Sequence, residues 1–190
     1  MLPEPFTSLP DTSYRQKHYL AGEYLFHMGD MPDTIYLVLS GEVHLQRYTD
    51  AGDLIIIHRA FPESYFAEAS LFSDSYHCDA IIETEASVVA INKHAILNLM
   101  DTNPSFALKV TAYFARQVQD YRRLLELRSI KSAKDRVLAG LHEGWHKGSI
   151  ISFAAQLGLT HEATYRALNE LVRTGRAEKI SRGDYRLSRQ

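Results

Sequence analysis

The chain has 190 residues and a single cysteine, Cys78. That excludes a disulfide scaffold and any zinc or iron–sulfur centre drawing several thiolates from one chain. No apolar run approaches the roughly 20 residues of a membrane-spanning helix. The start, Met1-Leu2-Pro3-Glu4-Pro5, has no basic stretch leading into an apolar one and does not read as a secretory signal. A cytoplasmic protein without membrane contact is therefore expected. Catalytic signatures are missing too: there is no Ser-His-Asp order, phosphate-binding glycine loop or paired-carboxylate motif, so an enzyme is not expected.

The bulk composition is ordinary, with 45% hydrophobic and 23% charged residues, which excludes a mostly disordered chain. The net charge of −2 conceals an asymmetry. Residues 1–104 carry 5 Lys+Arg against 15 Asp+Glu, a balance of −10, and residues 105–190 carry 16 against 8, a balance of +8. An acidic half joined to a basic one points to domains with different partners, the basic one a candidate for nucleic acid.

From Lys17 to Asn92 the chain reads as short strands, 23–27, 34–40, 42–48, 54–60 and 80–91, with turns that include Ser40-Gly41 and Thr49-Asp50-Ala51-Gly52. Strands spaced this closely indicate an antiparallel sandwich or barrel. Alternation in Glu42-Val43-His44-Leu45-Gln46 directs Val43 and Leu45 to the core and Glu42, His44 and Gln46 to water. Asn92 is placed to cap a short helix over 92–99, and Pro104 suits the first turn of a longer one. Along the latter, Ala107, Val110, Phe114, Gln117, Tyr121, Leu124 and Arg128 recur at steps of three and four, and Phe106, Tyr113, Val118 and Leu125 widen the stripe. Such a helix is either buried within one chain or shared with a partner helix. The domains on either side favour a dimer seam built from Val110, Phe114, Gln117, Val118, Tyr121, Leu124 and Leu125. A third helix is expected over 133–144. His142 and His146, four apart around Gly144, read as surface histidines.

The run from Ser149 to Val172 has the pattern of a helix-turn-helix. Ser149 caps a short helix with Phe153, Ala154 and Leu157 inward, and Gly158 stops it where φ > 0 is favoured. Thr160 caps a second helix, with Glu162 in its first turn and Leu168, Leu171 and Val172 inward. Its outward residues, His161, Glu162, Tyr165, Arg166 and Asn169, donate and accept hydrogen bonds; Arg reads guanine, Glu accepts from cytosine and Asn pairs with adenine. A hairpin follows, 177–180 and 185–188 around Ser181-Arg182-Gly183-Asp184, with Arg186 and Arg189 beside it, in the form of a wing touching phosphates. The candidate DNA-binding set is thus His161, Glu162, Tyr165 and Arg166, with Ser149 and Thr160 at the helix starts and Lys179, Arg182 and Arg186 on the wing. A helical pair that merely packs explains the apolar positions, but not the basic excess and the wing. A regulatory or scaffold protein whose winged helix binds protein is the remaining alternative.

The sequence resembles the bacterial catabolite-activator/fumarate-nitrate-regulator family of transcription factors over nearly its whole length. The resemblance rests on Gly22-Glu23, Gly29-Asp30, Tyr36-Leu37-Val38, Ser40-Gly41-Glu42-Val43 and Glu68-Ala69-Ser70-Leu71-Phe72, and on Leu157-Gly158-Leu159-Thr160-His161-Glu162-Ala163-Thr164-Tyr165-Arg166-Ala167-Leu168. It implies an α+β fold: a cyclic-nucleotide-binding-like β-roll (residues 1–103), a dimerisation helix and hinge (104–130) and a C-terminal winged helix-turn-helix (131–190). It also implies a homodimer on a two-fold symmetric operator, recognition helices about 34–36 Å apart, and double-stranded DNA and RNA polymerase as partners. Glu162 and Arg166 occupy the family's main base-contacting positions, while His161 replaces a frequent Arg.

The effector-pocket candidates by this resemblance are Glu68, Ala69, Ser70, His77, Cys78, Tyr121 and Arg122. Cyclic-nucleotide binders of the family hold the phosphate with glycines and an Arg followed by Ser or Thr, and the ribose with a Glu. Here Glu68 is kept, but Glu63 and Ala67 stand at the glycine positions, His77-Cys78 replaces Arg-Ser, and Asp79 adds negative charge. A mostly neutral His is a poor substitute for a guanidinium. A regulator that does not respond to cyclic AMP in the usual way is expected, with no cofactor. The alternatives are a haem sensor with His77 and Cys78 as axial ligands, another small ligand, or activity independent of ligand.

Overall fold

Strand-rich sequence before Asn92 forms one six-stranded antiparallel sheet, curled as a β-roll, in the computed structural model, which describes residues 1–146 and 149–188. The strands are β1 (Tyr14–Tyr19), β2 (Tyr24–Phe26), β3 (Thr34–Tyr48), β4 (Leu54–Ala60), β5 (Tyr65–Phe66) and β6 (Asp79–Asn92). Their order is β1-β6-β3-β4, with β2 also on β6 and β5 on β3. The chain divides into two units, residues 1–112 and 113–190.

The first unit departs from the sequence reading in three ways. Ser40-Gly41 is not a turn: β3 is one 15-residue strand that bends with β6 through register shifts between Val38 and Val43. Gly41 sits at φ 82°, and a Cβ there would lie 2.7 Å from the Cα and Cβ of Ala86. A glycine bulge re-aims a strand by the same backbone freedom that a turn uses. Next, His44 and Gln46 are buried, not solvated. Both faces of β3 are covered at this point, and His44 is accommodated because Nε2 meets Glu42 Oε1 at 2.7 Å while Nδ1 meets Glu83 Oε2 at 3.3 Å; Arg59 joins Glu42 at 3.2 Å. Val43 is buried as expected, and Leu45 packs against the same core from a half-buried position. Third, β1 and the two-residue β5 belong to the sheet although neither has an apolar alternation.

The roll's interior is filled by aromatic rings. Tyr76 stacks on Phe26 at 3.7 Å between centroids, Phe26 on Tyr36 at 5.8 Å, and Tyr36 on Phe66 at 5.1 Å. The Tyr76 hydroxyl donates to the Thr34 carbonyl at 2.5 Å, and burial pushes its pKa up to about 12. The N-terminal segment seals one end: Phe6 lies between Tyr65 and Phe106, 5.0 and 6.3 Å away.

Helix α1 (Lys93–Thr102) begins at the expected cap, with Asn92 Oδ1 accepting from Ala95 N, and runs three residues beyond Leu99. Helix α2 spans Pro104–Ser129, its first turns in the first unit and the rest in the second. Val110 is fully buried. It is therefore removed from the expected dimer seam, because its side chain already belongs to the chain's own core. Phe114, Gln117 and Leu124 are half-buried, whereas Val118, Tyr121 and Leu125 are about 50–67% exposed. No helix among the described residues is long and apolar enough to cross a membrane.

The second unit continues with α3 (Ala133–His142), α4 (Ile150–Leu157), α5 (His161–Arg173) and the hairpin β7 (Ala177–Ser181) and β8 (Asp184–Leu187). Its core joins Val137, Phe153, Leu157, Leu168, Leu171 and Tyr185. Burying a large apolar side chain contributes about 1.5–3 kcal/mol, so these residues fix the packing of α3, α4 and α5.

Candidate nucleic-acid interface

Local chemistry sets the helix-turn-helix. Ser149 Oγ accepts from Ser152 N at 3.1 Å and starts α4. Gly158 ends α4 in the left-handed region, φ 64° and ψ 39°. Its N–H reaches back to the α4 carbonyls, and Leu159 N donates to Ala154 O at 2.9 Å. Two residues after the glycine, Thr160 Oγ1 accepts from Ala163 N at 3.1 Å and α5 begins. Thr164, Ala167, Leu168 and Leu171 bury its inner face.

The outer face carries the expected set. His161, Glu162, Tyr165, Arg166 and Asn169 are all exposed. Arg166 Nε lies 3.9 Å from Glu162 Oε1, with both side chains at least 74% exposed. So exposed a pair is weak, and either partner can exchange it for a base edge. The His161 and Tyr165 rings run nearly parallel, 6.3 Å apart. Ser149 and Thr160 have their side-chain oxygens engaged as caps, so their first role is to start the helices.

The wing is present as β7 and β8, with Glu178 opposite Arg186 and Lys179 opposite Tyr185. Arg182 stands exposed at the tip. Arg186 is exposed too, but its Nε and Nη2 lie 3.3 and 3.1 Å from Glu178 Oε2. Lys179 Nζ sits 5.9 Å from the centre of the Tyr185 ring. Arg189 lies outside the described residues.

Three supporting residues escaped the sequence reading. Arg136 donates from Nε and Nη2 to Ile130 O at 2.9 and 2.6 Å, and from Nη1 to Leu157 O at 3.3 Å. Arg128 Nη2 reaches Ala155 O and Gln156 O, each at 3.4 Å. Two guanidiniums thus gather the carbonyls at the C-terminal end of α4, where the helix dipole favours positive charge. His146 is the third, and it corrects the expectation of a surface histidine. Its ring lies against Phe153 at 4.9 Å, with Nε2 3.0 Å from the Gly183 carbonyl at the wing tip. No local pattern marks any of the three, since each acts on residues 6–37 positions away.

The effector-pocket candidates of the first unit differ in exposure. Glu68 and Ser70 are buried in a 3-10 turn, Glu68–Phe72, and Ala69 is exposed. Lys93 Nζ donates to the Ser70 and Ser73 carbonyls at 3.1 and 2.8 Å. His77 points to solvent while Cys78 is 2% exposed in the core. Burial, with a smaller contribution from the charge of Asp79, pushes the Cys78 thiol up to about 11. One side chain facing out and a neutral thiol facing in do not make a pair of haem ligands, so these residues do not fit that group. Asp79 accepts from Met28 N at 2.7 Å and faces His27 at 3.6 Å, so its carboxylate fastens the 28–30 turn. Tyr121 and Arg122 are exposed on α2, in the other unit. A cleft of about 270 Å³, lined by Thr12, Arg15, Asp33, Thr34 and Asn92 among others, takes in none of the candidates. Among the described residues no three His, Cys, Asp or Glu side chains converge to hold a metal ion.

Residues 16–103 match the cyclic nucleotide-binding domain. The chain is 26% identical to the cyclic AMP receptor protein of Thermus thermophilus over 170 residues, 85% of this chain and 79% of that one. It is 25% identical to the transcriptional activator protein anr of Pseudomonas aeruginosa over 134 residues, 70% of this chain and 55% of that one. It therefore spans little more than half the length of the second relative. The fold matches FixK2 of Bradyrhizobium japonicum with a TM-score of 0.69 at 21% identity, covering 93% of each chain. It also matches the c-di-GMP responsive regulator CLP of Xanthomonas campestris at 0.62 and 18%, over 94% of this chain and 96% of that one. Over most of its length the chain is thus similar to transcription regulators of the catabolite-activator/fumarate-nitrate-regulator kind, and residues 16–103 match the domain that gives the β-roll.

The β-roll forms here although no glycine stands at positions 63 and 67. Glu63 and Ala67 take the left-handed backbone themselves, at φ 69° and 63°. A residue with a side chain pays about 1–2 kcal/mol for that conformation. The left-handed backbone is thus carried by a residue with a carboxylate at one position and one with a methyl group at the other. Glu63 stays exposed and Ala67 is buried in the roll's core.

Proposed function

We propose that this chain is a sequence-specific, DNA-binding transcription regulator, not an enzyme. It acts in the cytoplasm as a homodimer on a two-fold symmetric operator, with RNA polymerase as a further partner. The observation that carries the reading is the outer face of α5. A helix capped by Thr160 and packed through Leu168 and Leu171 leaves Glu162 and Arg166 at least 74% exposed and next to a wing bearing Lys179 and Arg182. The relatives named as transcription regulators support it, as does the balance of +8 over residues 105–190. Val118, Tyr121 and Leu125 supply an exposed apolar stripe for the second subunit. Gel shifts across a salt series test the reading. Each phosphate neutralised contributes about −0.9 to the slope of log K against log salt, so affinity should fall steeply with salt. Absence of binding at low salt refutes it.

The sensor does not take cyclic AMP in the family's manner, and no haem is part of the reading. A phosphate at the 63–68 loop would meet the Glu63 carboxylate, and no Arg occupies the position of His77. Isothermal titration with cyclic AMP should give no heat of binding at micromolar concentration. A micromolar dissociation constant would overturn this part of the reading and leave DNA binding standing.

A further inference from the structure

We propose that His146 is a positioning residue for DNA binding: it holds the tip of the wing so that Arg182 is presented to the phosphate backbone. The inference rests on the DNA-binding reading above and goes beyond it. A two-stranded hairpin is marginal by itself, and this one is anchored on its inner side by Ala177 and Tyr185, both about 3% exposed. That anchorage lies in the two strands, not in the turn. Past the last pair, Ser181 with Asp184, the tip carries Arg182 and Gly183. His146 reaches this turn from 37 residues away, with Nε2 3.0 Å from the Gly183 carbonyl.

The ring's other nitrogen gives the reason to assign a role. A carbonyl only accepts, so Nε2 carries the proton and Nδ1 is left as a bare acceptor. Nδ1 is buried without a hydrogen-bond partner among the described residues, and the ring centre lies 4.9 Å from that of Phe153 and 6.1 Å from that of Tyr185. A phenylalanine would pack in those surroundings without stranding a polar atom, so packing alone does not account for a histidine. The hydrogen bond to the tip does. Fixing the turn before DNA arrives removes part of the ordering cost that Arg182 would otherwise meet on binding.

The test uses the full chain, an operator obtained by selection from random duplexes, and an unrelated duplex, each titrated across a salt series. His146→Phe keeps the ring and removes the donor. It should weaken binding to both duplexes about three- to tenfold, leave their ratio unchanged and reduce the salt slope by about 1 per wing. Arg182→Ala should do the same, and the double variant should be no weaker than Arg182→Ala alone, since one contact cannot be lost twice. His146→Gln, which retains an N–H donor, should recover most of the loss. A merely structural role would lower the melting temperature and leave the slope alone. If the Phe variant fails to fold, His146→Met fills the same space. A wild-type slope in His146→Phe while Arg182→Ala loses its own, or losses that add in the double variant, overturns the proposal. If Arg182→Ala binds like wild type, the wing does not touch DNA and the proposal falls. Wild-type protein with no DNA binding removes the underlying reading and the proposal with it.

Discussion

Arg166→Ala will erase the preference for the operator while leaving binding to unrelated duplex largely intact. A good bidentate contact from Arg to guanine discriminates by about 1–3 kcal/mol, roughly five- to 150-fold for each half-site. On the proposed homodimer the loss would occur at both half-sites. The loss cannot be attributed to unfolding: Arg166 is 74% exposed, its pair with Glu162 is 3.9 Å long and solvated, and alanine is the better helix former. Non-specific affinity survives because Lys179 and Arg182, exposed on the wing, still meet phosphates. The measurement is the ratio of operator to unrelated-duplex dissociation constants at one fixed salt concentration. Equal loss on both would make Arg166 a phosphate contact and move base reading to Glu162 and His161.

The second large effect is in the β-roll. Gly41→Val should destabilise the roll by about 2–5 kcal/mol. About 1–2 of that comes from a side chain at φ > 0 and about 1–3 from overpacking against the Glu85–Ala86 backbone. At about 4–8 °C for each kcal/mol in a domain of this size, the melting temperature should fall by roughly 10 °C or more, read by circular dichroism. Gly52→Val separates the two causes. Gly52 also has positive φ, 86°, but a Cβ there has nothing within 4 Å, so only the smaller, conformational part should appear. Equal losses at the two positions would mean that the close approach of β3 to β6 at Gly41 carries no weight.

Such a glycine also shows where reading the sequence stops. A turn and a bulge call on the same positive φ, so Ser40-Gly41 looks identical in either role. Only its pairing with β6, some 45 residues on, decides between them. The helix caps were legible because their hydrogen bonds close within three residues: Ser149 to Ser152, Thr160 to Ala163, Asn92 to Ala95. So was the outer face of α5, whose exposure follows from its period. The surroundings of His44, Val110 and His146 were not legible. Those of His44 and His146 are set by residues distant in sequence, Glu83 and the Gly183 carbonyl respectively, and nothing in the periodicity of α2 separates the fully buried Val110 from its exposed neighbours on the stripe. Strand β1, Tyr-Arg-Gln-Lys-His-Tyr, escaped because an edge strand with four exposed residues in its middle has no apolar alternation to detect. In the effector loop, the resemblance located the missing glycines, but not that Glu63 and Ala67 would adopt the glycines' backbone.

The burial of Cys78 has a consequence for how the protein meets oxidants. Thiolate, not thiol, is the form that reacts. With burial pushing its pKa up to about 11, Cys78 stays a thiol at neutral pH. The surrounding rings and strands also leave it just 2% exposed. The one sulfhydryl in the chain is therefore chemically quiet, slow towards peroxide, alkylating reagents and disulfide exchange alike.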